Sequence, residues 1–142
     1  MKRHTHLGVY GVLVRNNQVL LVRKGRGPHT GKWDFPGGTI EFGETPYETL
    51  LREFEEETGL TRLQGTIRAS FSYTLIHSFQ KNELEELHHI GILYDVELTS
   101  DGDELKTYGD GQDSLGAEWI NVQKLKQLPV TPFVSQVFKL EP

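Results

Sequence analysis

The apolar positions of this chain fall into short runs separated by polar breaks that carry Gly, Asn and Pro. Leu7 to Arg15 (LGVYGVLVR) is rich in β-branched and aromatic residues, which predicts a strand. Asn16-Asn17 marks a turn, and Gln18 to Lys24 (QVLLVRK) returns as the second strand of a hairpin. Gly25 to Lys32 is a loop by its Gly, Pro and Thr content, and Pro36-Gly37-Gly38 breaks the regular backbone soon after. The next element is a helix with clear ends. Thr45 suits the N-cap, Pro46 the first helical position, and Glu48 completes a capping box with Thr45. Gly59 suits the left-handed position after the last turn, so the helix spans about Pro46 to Thr58. Leu63 to Phe79 has strand composition with a bend or bulge, and Gln80 to His89 (QKNELEELHH) is polar and reads as a loop. Ile90 to Leu98 is a further strand. Thr99 to Gly116 is a long polar connection, Ala117 to Val122 a short strand, and Lys124 to Leu128 a helical turn. Thr131 to Leu140 has a helical period behind a Thr-Pro start. Strands on both sides of one helix, with a second helix last, predict an α/β domain. No linker-like segment divides residues 1–142, so one domain is expected.

The central helix carries an electrostatic conflict. Glu53, Glu56 and Glu57 are spaced i, i+3, i+4 and share one face. Leu50, Leu51 and Phe54, with Tyr47 nearby, supply the apolar side, while Glu55 points elsewhere. Each like-charge pair on an exposed helix costs a few tenths of a kcal/mol, of order ~0.3. The acids also sit in the C-terminal half, where the helix dipole disfavours them. A Glu-rich helix is usually a solvated surface face. Residues that break two local rules at once, however, tend to mark functional sites. A divalent cation resolves the conflict, and hard oxygen donors suit Mg²⁺, or Mn²⁺ in its place.

Composition narrows the alternatives. A net charge of -5 argues against a nucleic-acid polymer as partner, although a local basic patch can hold a small anion. The absence of cysteine excludes disulfides and thiol chemistry. No apolar run approaches the ~20 residues of a membrane span, and the N-terminus lacks the apolar stretch of a signal peptide. A soluble, cytoplasmic protein is therefore expected. Asp101 to Asp113 is acidic and Gly-bearing but fails as an EF-hand loop, because its twelfth position is Gln112 rather than Glu. No G-x-S-x-G elbow supports a serine hydrolase.

Gly38 to Leu60 resembles the Nudix box, G-x5-E-x7-R-E-U-x-E-E-x-G-U, where U is bulky and apolar. Gly38, Glu44, Arg52, Glu53, Phe54, Glu56, Glu57, Gly59 and Leu60 fill all nine defined positions. Phe54 is the one mild departure, since the family more often has an aliphatic residue there. The preceding hairpin, the W-D-F-P-G-G approach and Glu118-Trp119 near the end also look like many members.

The resemblance implies hydrolysis of a nucleoside diphosphate linked to a group X. It also implies an α/β/α sandwich with a mixed β-sheet, a loop–helix–loop box and a divalent metal, usually Mg²⁺. Such chemistry needs positioning and charge neutralisation more than covalent catalysis. By the family pattern Glu53, Glu56 and Glu57 are metal residues, with Glu53 as ligand, general base or both. Arg52 would hold a carboxylate by a charge-assisted hydrogen bond, and an i,i+4 pair with Glu56 is compatible with that role. Glu44 would be a supporting partner or further ligand, or simply a loop acid before the cap. Gly37 and Gly38 permit close backbone approach to metal or phosphate; a plain tight turn is the alternative. Arg23, Lys24 and Arg26 are candidate phosphate contacts or else solvated charges. Trp33 and Phe35 suit core packing better than base stacking. His4, His6, His77, His88 and His89 lack a metal-binding pattern, though His88 or His89 could sit in a substrate loop. A later assisting acid would come from Glu85, Glu86, Glu97 or Glu118.

The implied substrates include (d)NTPs, ADP-ribose or nucleotide sugars, and dinucleoside polyphosphates. A chain of this length fits a (d)NTP or related nucleotide. The absence of proline between Pro46 and Pro129 weakens an ADP-ribose reading. A nucleotide-sensing module without catalysis is the other alternative, but such modules tend to lose box carboxylates, and here all are present. Homodimers are common in the family.

Overall fold

The computed structural model describes residues 1–109 and 114–140. Gln112, where an EF-hand loop would carry its Glu, lies outside them. The strands are β1 (Lys2–Arg15), β2 (Gln18–Lys24), β3 (Trp33–Asp34), β4 (Gly37–Thr39), β5 (Leu63–Gln80), β6 (Glu83–Leu98) and β7 (Ser114–Asn121). The helices are α1 (Pro46–Thr58) and α2 (Pro132–Phe138), with a 3₁₀ segment at Val122–Gln127. The strands form a mixed, curled sheet whose main path is β3-β2-β1-β6-β5. Pairing of β1 with β6 is parallel; β1 also pairs antiparallel with β4 and, at its end, with β2. β7 closes on the outer side of β2.

Alternation along the strands builds two cores. Val9, Leu13, Leu20 and Val22 face α1, where Leu50 and Phe54 are fully buried. Tyr10, Val12, Val19 and Leu21 face the opposite side, where Phe133 and Val134 of α2 pack. The result is the α/β sandwich, one helix layer on each face. Two strand glycines make room for the two phenylalanines. A Cβ at Gly11 would run into the Phe54 ring, and one at Gly91 would lie 2.7 Å from Phe133 Cζ.

Helix α1 has the ends its sequence demands. Thr45 Oγ1 accepts from Glu48 N (3.2 Å), and Glu48 Oε1 accepts from Thr45 N (2.8 Å). Gly59 closes the helix at φ 79°. Leu51 does not join the core but stays at the surface, because the helix buries the stripe through Leu50, Phe54 and Glu57. Asn16 and Asn17 both adopt positive φ, as the first hairpin requires. The expected irregularity in β5 is present, with register shifts at Ile67/Ala69 and Ser78/Gln80.

The polar segment Gln80 to His89 is not a loop. Only Lys81 and Asn82 turn, and Glu83 already begins β6. β6 hydrogen-bonds β5 on one side and β1 on the other, and β1 begins at Lys2 rather than Leu7. Pairing on both edges overrides the poor strand composition. Arg3 and Glu86 form an ion pair across this extension (3.0 Å).

Candidate active site

The acids of α1 open onto a cleft of about 430 Å³. Its floor comes from the glycine turn, its sides from α1, the end of β2 and the β2–β3 loop. Glu53, Glu56 and Glu57 all line it, as do Gly37, Gly38 and Arg52. Their depths differ. Glu57 is buried, 4% exposed, whereas the Glu56 side chain is 54% exposed. Glu57 Oε1 accepts from Gly37 N at 2.9 Å. Burial pushes the Glu57 carboxyl up to about 8, aided by the neighbouring charge of Glu53 and opposed by the Gly37 N–H.

Gly38 matters through space rather than dihedral freedom. A Cβ there would sit 2.7 Å from Cδ, Oε1 and Oε2 of Glu53. Only glycine lets that carboxylate lie flat against the β4 backbone. Gly37, at φ 153°, has no room either, since a Cβ would strike Val9 O.

Arg52 binds the acids together. Its Nε and Nη2 donate to the two oxygens of Glu44 at 2.7 and 3.0 Å. Nη2 also donates to Thr39 O (3.0 Å), and Nη1 reaches Glu53 at 3.0 Å and Glu56 at 3.4 Å. The bidentate grip holds the Glu44 carboxyl down at about 2 and raises the guanidinium above its usual range. Glu44 additionally accepts from Thr49 Oγ1 (2.8 Å) and Glu41 N (3.0 Å). It anchors Arg52 and is not among the residues lining the cleft.

Lys24 and Arg26 line the opposite wall. Arg23 does not, because strand alternation turns it out to solvent, where Nε donates to Gly31 O (3.4 Å). The four later acids also fall elsewhere. Glu85 meets His77, Glu86 meets Arg3, Glu97 accepts from Gln64, and Glu118 is exposed. The cleft instead contains Glu41 and Asp34. Asp34 is buried and accepts from Phe35 N (2.8 Å) and Thr131 Oγ1 (2.7 Å), and burial raises its carboxyl. Thr131 is the N-cap residue of α2 but spends its hydroxyl on Asp34 rather than on its own helix. Phe35 is fully buried, and Trp33 packs against the same core.

At the other end of the cleft sequence reasoning allowed only for His88 or His89, in a substrate loop, and missed the rest. His6, Tyr10, His29, Leu87 and His89 line it. Tyr10 Oη lies 2.8 Å from His89 Nε2, Tyr73 Oη 2.8 Å from His89 Nδ1, and His29 Nε2 3.0 Å from Tyr73 Oη. The period-two run Leu87, His89, Gly91, Leu93 was the available signal, since it extends a core-facing strand face back into the supposed loop.

Among the described residues no three acid or histidine side chains form a ready-made metal cage. The donor chemistry nonetheless fits a hard cation completed by phosphate oxygens. The donors are all oxygen, Glu57 is buried beside a second carboxylate, and Gly38 leaves a cradle that a Cβ would fill.

A sandwich of this kind, with clustered carboxylates facing cations across one cleft, suits a hydrolase of phosphate-bearing anions. The chain belongs to the NUDIX domain family, whose model matches residues 3–140, and it is a Nudix pyrophosphohydrolase. Members of this family generally need a divalent metal ion. The chain is 30% identical over 125 residues to the ADP-ribose pyrophosphatase of Methanocaldococcus jannaschii, covering 88% of this chain and 67% of that protein. It is 32% identical over 97 residues to the 8-oxo-dGTP diphosphatase of Proteus vulgaris, covering 60% of this chain and 86% of that one. The fold matches a MutT NUDIX hydrolase from Burkholderia pseudomallei with a TM-score of 0.72 at 21% identity, covering 98% and 99% of the two chains. No described helix is long and apolar enough to cross a membrane.

Proposed function

We propose that this chain is a Mg²⁺-dependent hydrolase of the pyrophosphate bond in (d)NTPs or related nucleotides, with Mn²⁺ able to replace Mg²⁺. It works as a single cytoplasmic domain on small molecules rather than nucleic-acid polymers. The observation that carries the reading is the convergence of Glu53, Glu56 and Glu57 on a cleft shared with Lys24 and Arg26.

Glu56, Glu57 and Glu53 would hold the cation, with the Gly37–Gly38 backbone beside them. When bound, it neutralises phosphate charge and makes water a better nucleophile. Lys24 and Arg26 bind and orient the polyphosphate from the far wall. Arg23, turned out of the cleft, contributes only to the surrounding positive field. Glu53 is placed to accept the proton of the attacking water. Its carboxylate is fixed between Arg52 Nη1 (3.0 Å) and the Gly38 backbone. Arg52 and Glu44 position it and do not touch the reacting atoms.

A second substrate reading is ADP-ribose or a nucleotide sugar, favoured by the similarity to the archaeal ADP-ribose pyrophosphatase across 88% of this chain. The test is a phosphate-release assay with chromatography of products over both compound classes, with Mg²⁺ and with EDTA. Metal-dependent cleavage of a (d)NTP above the sugar compounds supports the first reading. Preference for ADP-ribose supports the second. Nucleotide binding without cleavage of any compound would mean a sensing module.

A further inference from the structure

The sheet is longer than the helix that covers it. On one face α1 lies over β1, β4 and β7. Toward the start of β6, Ile92 is the last residue packed against the core beneath that helix. The first residues of β1, the first half of β6 and the second half of β5 run on past it as a three-stranded extension. Cross-strand partners share a face. The registers Leu7↔Ile90↔Ser72, Arg3↔Glu86↔Ile76 and Leu84↔Ser78 therefore put these side chains on the α1 side. The reverse side carries His6 and His89 and belongs to the cleft.

The α1 side of the extension is open and apolar. Leu7 is 42% exposed, Leu84 52% and Ile76 55%, and Ile90 is half-buried. Phe42, in the loop before α1, is fully exposed and shares a groove of about 480 Å³ with Leu7 and Ile40 beside β1. Single exposed apolar residues are ordinary, but several large ones grouped on one uncovered face mark an interaction surface.

The charges of this face are divided by strand. β1 begins with Lys2, Arg3 and His4, and β6 begins with Glu83, Glu85 and Glu86. Arg3 meets Glu86 at 3.0 Å yet keeps its side chain 85% exposed, with donors to spare for a second carboxylate. A two-fold axis lying along the strands, between β1 and β6, sets β1 of one copy over β6 of another. Basic then meets acidic twice. β5 of each copy comes to lie over the groove of the other, where Phe42 stands. Such self-complementarity is what a two-fold contact requires. Three strands ~4.8 Å apart and about nine residues long, at ~3.3 Å each, present on the order of 400 Å² per copy in flat projection. Side-chain relief and the Phe42 loop enlarge it, so two copies together reach the ~1,000 Å² of a specific interface. A membrane surface fits less well, because the acidic start of β6 opposes anionic lipid.

We propose that the α1-side face of this extension is a homodimer interface. Two copies pack sheet against sheet about that axis, burying Leu7, Ile76, Leu84 and Phe42, with Arg3 facing Glu86 of the second copy.

The test is sedimentation velocity of the full chain, from low micromolar to several hundred micromolar. A reversible monomer–dimer equilibrium is expected. Ile76→Lys with Leu84→Lys should weaken association at least about tenfold. The melt should hardly change, because both side chains already stand in water in the single chain. Arg3→Glu alone and Glu86→Arg alone place like charges opposite each other twice, and each should weaken the dimer about tenfold. An equimolar mixture of those two variants should associate more tightly than either alone, since an acidic tip then faces a basic one. That recovery cannot arise within one chain, because the Arg3–Glu86 pair is broken in both. A monomer at every concentration would overturn the proposal, whether or not the chain then binds anionic vesicles. A dimer that survives both lysines, or a mixture no more associated than its parts, would overturn it as well.

Discussion

Gly38→Ala separates the chemistry of the cleft from the stability of the fold. The added Cβ would lie 2.7 Å from all three carboxyl atoms of Glu53, where ordinary contact begins at 3.4 Å. The carboxylate must therefore retreat by the difference, about 0.7 Å, and loosen its 3.0 Å contact with Arg52 Nη1. Misplacing a reacting group by ~1 Å costs roughly 10²-fold in rate, so a fall in kcat of about 10- to 100-fold is expected. Stability should hardly change. The clash is with the far end of a side chain, Gly38 lies outside the left-handed region, and losing a glycine restricts the unfolded chain by about 0.4–1 kcal/mol. Gly37→Ala is the contrast. There the Cβ meets backbone, at Val9 O and 2.7 Å from Tyr10 Cα, and φ is 153°. A loss of roughly 2–4 kcal/mol is expected. Initial rates over a range of nucleotide concentrations, paired with thermal melts, measure both quantities. A well-folded Gly38→Ala protein with wild-type kcat would refute the placement of Glu53 at the reacting centre.

Arg52→Lys cannot reproduce the bidentate grip on Glu44 together with the contacts to Thr39 O and Glu53. Turnover should fall about 10- to 100-fold with the melt nearly unchanged; equal loss of turnover and of folded protein would show a merely structural role. Gly91→Ala should destabilise by about 1–3 kcal/mol through the 2.7 Å approach to Phe133, and Phe133→Leu in the same chain should recover part of it in urea melts. Stability should also fall in acid. His89 and His29 titrate at about 3 and about 4 in the folded protein against 6.5 unfolded, so the unfolded chain binds more protons below pH 6.5. Glu44, held at about 2, adds stability that is lost as pH falls from about 4.5. Glu57, at about 8 when metal-free, acts in the opposite sense between about 4.5 and 8, so the decline should be steepest below pH 4.5. A urea midpoint that stays flat from pH 6 to 3.5 would contradict the buried, neutral histidines.

The legible parts of this molecule were those set by local rules. The capping box of Thr45 and Glu48, the stop at Gly59, the Asn16-Asn17 turn and the face shared by Glu53, Glu56 and Glu57 depend only on neighbours in the chain. What stayed hidden depends on pairing across the sheet. Glu83 to His89 is a strand because β1 and β5 hydrogen-bond it from both sides, and a polar sequence cannot announce that. His89 enters the cleft only through that strand, and His6 only because β1 extends back to Lys2. Asp34 stood in view within W-D-F-P-G-G, but its bond to Thr131 spans 97 residues. Arg23 and Lys24 were indistinguishable by composition, and their alternation on β2 sent one to solvent and the other to the cleft.

Glu57→Gln tests the central claim most directly. The amide keeps an oxygen for Gly37 N–H, so the variant should fold and melt like the wild type. Initial rates of nucleotide hydrolysis would be measured for both proteins across a Mg²⁺ titration. Near-complete loss of metal-dependent turnover in a folded variant is the expected result. Wild-type rates from Glu57→Gln, at the same Mg²⁺ requirement, would contradict the assignment of the α1 carboxylates as the metal site.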